Sequence, residues 1–212
     1  KFLVDKNNRS KVCVLYEDTD YGQEILDAAY DQLEEMNMPL IETASAKPTD
    51  TDFSSQIKKL QNAECDLIAM GTQIRSTIIP YIKAKEINWN NVDFVATSAS
   101  YFSVVAEQPN GIMDGLYCLN GIVVPYYDTA SDLEKDWWDR FRSIYSYEPN
   151  SGAIYGYIYA DIFIEAVKRA GKDLSVKSFI SAMESLENYA DPLRTGTVTF
   201  TDTHRQGSNI SY

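Results

Sequence analysis

The sequence predicts an α/β fold: a parallel sheet with helices on both faces, followed by a mainly helical segment. Three observations predict it. Short apolar runs such as Val12–Tyr16, Asp66–Gly71 and Val92–Thr97 lack polar alternation, as strands covered on both faces do. Amphipathic stretches of helical length alternate with those runs, which implies parallel strands joined by right-handed crossovers. After Pro125 the alternation stops and the aromatic content rises.

Residues 1–5 are expected to be the tail of a helix, and 6–9 a polar turn. The run Val12-Cys13-Val14-Leu15-Tyr16 is the first strand, followed by an acidic loop, Glu17-Asp18-Thr19-Asp20. Thr19 or Asp20 can accept from the first free amides of the next helix. That helix spans about 21–36, with Ile25, Leu26, Ala29 and Leu33 at helical spacing and Asp27, Asp31, Glu34 and Glu35 on the wet face. Pro39 follows its end, and residues 40–45 form a second strand. Asp52 is placed to cap a helix over 53–62 that buries Phe53, Ile57 and Leu60.

Residues 66–71 form the third strand, ended by Gly71 where the chain must turn. A helix over 75–87 carries Pro80 in its first turns, where a missing N–H costs least. Residues 92–97 form the fourth strand, 98–106 a short helix or turn, and 115–124 a fifth strand running into Pro125. Beyond it come helices over 132–145, 153–170 and 176–186, with Gly171 as the stop of the second. A lone strand follows at 197–200. Three helices and one strand do not close a core, so this segment is expected to pack on other sequence or on a partner. The division is 1–124 and 125–212. The chain also opens inside a helix, without Met or an apolar leader, and is therefore expected to be a processed or partial chain.

The protein has 212 residues, 44% of them hydrophobic, and a formal net charge of −12. Those values belong to a folded globular chain. The negative charge favours solubility and disfavours nucleic acid and anionic membranes, which require clustered Lys and Arg. No apolar run approaches the roughly 20 residues that span a bilayer. Cys13, Cys65 and Cys118 show no CxxC spacing, and each lies in or beside an apolar run. They are expected to be buried small hydrophobes. A bridge from Cys65 to either of the others is not readable from spacing, which leaves the redox compartment open.

The residue inventory argues against catalysis. The single histidine, His204, sits in a polar tail, which removes a His-rich zinc site and weakens any Ser-His or Cys-His mechanism. There is no GxSxG elbow and no P-loop. The first strand–helix turn, EDTDYG, has carboxylates where a pyrophosphate would need amides. No metal and no cofactor is expected. Ligands of open parallel sheets lie off the carboxyl ends of the strands. Those ends carry small hydroxyl and amide residues: Thr72, Gln73, Thr97 and Ser98, with Tyr21 at a helix start. Such groups suit a small polar ligand, although Ser and Thr are also ordinary turn residues.

The stretches KVCVLYEDTDYGQEIL, PTDTDFSSQIKKLQNAECDLIAMGT, VDFVATSA, GIMDGLYC and IYGYIYADIFIEAVKRAG together resemble the periplasmic substrate-binding proteins of branched-chain amino acid ABC transporters. The TDFSSQ helix start followed by DLI-x-x-G carries most of the resemblance, and the terminal GTVTF adds to it. The resemblance covers most of the chain. It implies a bilobal type I fold in which residues 1–124 are the second lobe, entire, and 125–212 are the crossover and part of the first lobe. It implies an extracytoplasmic protein, periplasmic or extracellular, that delivers a small solute to an ABC transporter permease by hinge closure, without enzymatic activity. The alternatives are a ligand-sensing ectodomain of a signalling receptor and an α/β enzyme.

The resemblance also marks site residues. Tyr21 matches a cleft-facing tyrosine at the start of the lobe's first helix. Gln73 stands where leucine-type members have an aromatic, and Tyr155 lies near a cleft-facing aromatic of the other lobe. Ser98 replaces a glutamate that pairs with the ligand's ammonium. An ammonium left without that partner would forfeit about 2–5 kcal/mol. Either Asp18 or Asp20 therefore substitutes for it, or the solute is an organic acid, an amide or another small metabolite. The expected ligand-binding set is Asp18, Tyr21, Thr72, Gln73, Ser98 and Tyr155.

Overall fold

The computed structural model describes residues 1–207; the last positions of the predicted 125–212 segment lie outside the described residues. The chain divides into two compact units, Lys1–Leu119 and the remainder from Asn120 onward.

The first unit is a five-stranded, wholly parallel sheet in the order β2-β1-β3-β4-β5. Its strands are β1 (Val12–Glu17), β2 (Glu42–Ala46), β3 (Leu67–Gly71), β4 (Asp93–Ala96) and β5 (Leu116–Cys118). The helices α1 (Phe2–Asn7), α2 (Asp20–Glu35), α3 (Ser54–Asn62), α4 (Ile74–Glu86) and the single turn α5 (Ser103–Ala106) connect or precede them. Alternate residues of β1, β3 and β4 enter two separate cores. Cys13, Leu15, Ile68, Met70, Phe94 and Ala96 meet Phe53, Ile57 and Leu60 of α3 and its approach, and Tyr81 of α4. Val12 and Leu67 meet Leu3 of α1 and Leu33 of α2 on the opposite face. Both faces are therefore covered, which is why the strands show no polar alternation.

Several boundaries differ from expectation. Glu17 belongs to β1 and is buried, rather than opening the loop. Of the two expected caps, Thr19 is the one that caps α2, its hydroxyl accepting from the Gly22 amide at 3.2 Å, and the helix begins one residue earlier than predicted, at Asp20. Asp52 does accept from the Ser54 amide at 2.9 Å, although the helix proper begins one residue later than predicted. Pro80 lies in the interior of α4, past its first turn, and is buried. The strand expected over 115–124 ends at Cys118. At that point Asn120 turns inward, its side-chain amide donating to the Ile122 carbonyl at 3.0 Å, and the Val123 amide bonds to the Thr195 carbonyl at 2.8 Å.

Two of the three cysteines are not simple buried hydrophobes. Cys13 of β1 and Cys65, at the approach to β3, form a disulfide across a sequence separation of 52 residues. Cys118 is free and half-buried, and burial pushes its thiol up to about 11.

The second unit contains α6 (Asp132–Tyr145), α7 (Ser151–Ala170) and α8 (Val176–Glu184). Ser131 and Glu134 close a capping box on α6, and Ser175 with Ser178 closes one on α8. The terminal strand is not alone: β7 (Thr197–Val198) pairs antiparallel with β6 (Tyr189–Ala190). A core does form here, from Trp137 and Trp138 of α6, Ile154, Ile158 and Ile162 of α7, and Leu186 and Leu193.

Candidate functional site

A β2-β1-β3 arrangement sends the connections from β1 and β3 to opposite sides, and the carboxyl ends of those two strands flank the resulting crevice. The loops that follow β1, β2, β3 and β4 are tied to one another by hydrogen bonds.

The loop after β1 is tied in three directions. The Asp18 amide donates to the Ala46 carbonyl at the end of β2 at 2.8 Å. Glu17 accepts the Gln73 amide on Oε1 at 3.2 Å, placing a carboxylate against the N-terminus of α4, where the helix dipole favours it. Its Oε2 is buried without a hydrogen-bond partner among the described residues. Tyr21, in the first turn of α2, hydrogen-bonds through its hydroxyl to Thr97 at the end of β4. Gly22 makes this geometry accessible: a Cβ there would lie 1.9 Å from the Glu17 carbonyl oxygen, so only glycine lets α2 start this close to β1.

The loop after β2 is clamped by Arg75 of α4, whose guanidinium donates to the carbonyls of Pro48 at 2.7 Å and Asp50 at 3.2 Å. The loops after β3 and β4 share a buried set of hydroxyls. Thr72 Oγ1 and Thr77 Oγ1 are 2.7 Å apart, Thr77 Oγ1 and Ser100 Oγ 2.6 Å, and Ser100 Oγ reaches the Thr72 carbonyl at 3.3 Å.

The predicted residues fall into two groups within this frame. Asp18, Gln73 and Ser98 are exposed, and Tyr21 is half-buried. They stand around the carboxyl ends of β1, β3 and β4 as accessible polar groups. Thr72 is fully buried, with its hydroxyl engaged by Thr77. Tyr155 belongs to the second unit, where its hydroxyl donates to Asn120 Oδ1 at 2.6 Å; burial raises its phenol above the usual range. Glu17, Thr77 and Ser100 were not singled out from the sequence as site residues. Their signal was present only as polar residues flanking or interrupting apolar runs, a pattern that loops share.

Among the described residues, no group of His, Cys, Asp and Glu could hold a metal ion, and no helix is long and apolar enough to cross a membrane. The accessible groups can donate and accept hydrogen bonds.

The family model of the periplasmic binding proteins matches residues 1–212. No curated protein sequence matches. Among solved structures, a fatty acid ABC transporter substrate-binding protein from Thermomonospora curvata superposes with a TM-score of 0.81 at 23% identity, covering 100% of this chain and 55% of that one. A substrate-binding periplasmic protein from Ralstonia solanacearum gives 0.78 at 19% identity, covering 99% and 60%. A leucine binding protein from Thermotoga maritima gives 0.77 at 15% identity, covering 96% and 56%. These likenesses show a shared fold. The chain spans little more than half the length of the structures it matches.

Proposed function

The chain belongs to the periplasmic binding protein family, and from that premise we propose that it is part of an extracytoplasmic receptor that binds a small polar solute for ABC uptake. The observation that carries the proposal is the exposed set Asp18, Gln73 and Ser98, with Tyr21 beside it, held at the switch point of a braced parallel sheet. A binding protein needs accessible hydrogen-bonding groups on a rigid base and no reactive centre. The Cys13–Cys65 disulfide supports an oxidising compartment, since such bonds persist outside the cytosol.

In this reading residues 1–124 supply one complete lobe and 125–212 contribute to the other. The solute shifts an open–closed equilibrium of the whole receptor, and the closed form is what the transporter permease recognises. No covalent step is involved. The solute is an amino acid, a small organic acid or an amide. Ser98 leaves an ammonium without a carboxylate at that position, and the exposed Asp18 is the carboxylate of the predicted set. The leucine and fatty acid named for two similar structures bracket the same range of solutes.

The test is a thermal-shift panel on the complete receptor with amino acids, aliphatic acids, aromatic acids and amides. A solute at about 1,000 times its Kd stabilises by roughly 4 kcal/mol, so at least one class should raise Tm by several degrees. Gln73→Ala and Ser98→Ala should reduce that shift while leaving the ligand-free Tm in place. A panel in which no solute moves Tm would overturn the proposal.

A further inference from the structure

We propose that Thr77 and Ser100 are positioning residues of the solute site: with Thr72 they form a closed ring of buried hydroxyls that holds Gln73 and Ser98 as one rigid pair. This rests on the solute-binding reading and adds residues that neither the sequence pattern nor the family match assigns.

The ring has a definite direction. Each hydroxyl has one proton to donate. Ser100 Oγ reaches the Thr72 carbonyl, which can only accept, so Ser100 donates there at 3.3 Å. Thr77 then donates to Ser100 at 2.6 Å, and Thr72 donates to Thr77 at 2.7 Å. The circuit runs from the hydroxyl of Thr72 to its own carbonyl through two other elements. All three donors are satisfied only in this sense, and hydrogen bonds in such a chain polarise one another. The three residues are at most 1% exposed, so water does not compete.

The three members sit on separate segments: the turn leaving β3, the first turn of α4, and the short 3-10 turn after β4. Each of the two loops then exposes one polar neighbour of the ring, Gln73 beside Thr72 and Ser98 two residues before Ser100. Backbone bonds tie those neighbours to the same frame, from the Thr77 amide to the Gln73 carbonyl at 2.9 Å and from the Tyr101 amide to the Ser98 carbonyl at 3.1 Å. Valine would fill the volume of Thr77 without requiring a donor or an acceptor, so filling the core does not by itself call for a hydroxyl. What the hydroxyl adds is a directional link between two loops whose exposed members face solvent.

The experiment compares Thr77→Val with Thr77→Ser in the full chain, without solute, by amide NMR and hydrogen exchange. In Thr77→Val, the Gln73 and Ser98 amide resonances should broaden or split, and the Ser100 and Tyr101 amides should exchange about tenfold faster. The α3 amides should be unchanged. Thr77→Ser restores the hydroxyl and should return Gln73, Ser98 and both exchange rates to within about twofold of the parent. Ser100→Ala breaks the ring from the other side and supplies the same reading if the valine variant does not fold. If valine leaves Gln73 and Ser98 undisturbed, or if serine disturbs them equally, the ring has no positioning role. Because no solute is present, this outcome is independent of the solute panel.

Discussion

The two units of this chain satisfy their apolar residues in different ways. In the first, both faces of a five-stranded sheet are covered, and a disulfide joins β1 to the approach of β3. In the second, three helices gather around Trp137, Trp138, Ile154 and Leu186, yet Ile144, Tyr159, Phe163, Leu174 and Val176 remain exposed. A sheet with crossovers on both sides encloses itself. Helices whose sheet, among the described residues, is a pair of two-residue strands bury one stripe each and leave the other stripe outward. The comparison teaches that the first unit gathers its apolar residues on the two faces of one sheet, whereas the second holds a core smaller than its apolar content.

Removing the disulfide tests the larger side of this contrast. Closing a loop of this separation contributes about 4 kcal/mol in the chain-entropy account. Cys13→Ser/Cys65→Ser should therefore lower the melting of the first unit by on the order of 15 °C. Segment-resolved hydrogen exchange would locate the effect. Protection should fall in 12–17 and 67–71, with 153–166 left as it was. Equal loss in both units would break the comparison.

A smaller effect is expected on the other side. Tyr155→Phe removes the donor to Asn120, which is only 4% exposed, and should cost about 1–2 kcal/mol. Exchange should quicken around 120–123 and 153–158 and stay constant in the sheet. If the phenylalanine variant matches the parent, the hydroxyl does not anchor the start of the second unit.

An effect of similar size concerns acid. Arg9 donates to Asp93 at 2.8 Å, and this hydrogen bond, opposed by burial, holds the Asp93 carboxyl below its ordinary range. A depressed carboxylate contributes stability above its unfolded pKa and loses it as pH falls through the folded value. The first unit should thus lose roughly 1–2 kcal/mol below about pH 4 through this pair. Asp93→Asn should be less stable than the parent at pH 6, with the gap closing in acid. A gap that does not change with pH would remove Asp93 from the account.

How far the site could be read depended on the kind of signal. Tyr21, Gln73 and Ser98 could be placed because strand ends follow from apolar runs and ligands gather at strand ends. The split between exposed and buried residues could not. Thr72 and Gln73 are adjacent polar residues, and only the packing of α4 turns one inward to Thr77 and leaves the other exposed. Glu17 looked like a loop residue because a carboxylate after an apolar run usually is one. Its buried side chain accepts the Gln73 amide, which comes from a different strand–helix turn.

The sequence by itself determined the α/β class, most elements to within a residue or two, and the strand ends that carry the polar groups. These follow from periodicity and capping, which are properties of neighbouring residues along the chain. The tertiary structure alone decided that Cys65 pairs with Cys13, that the fifth strand stops at Cys118, and that Thr72, Thr77 and Ser100 form one ring. Each of these depends on a partner chosen across space. A sequence states which groups can bond, whereas the fold decides which of them meet.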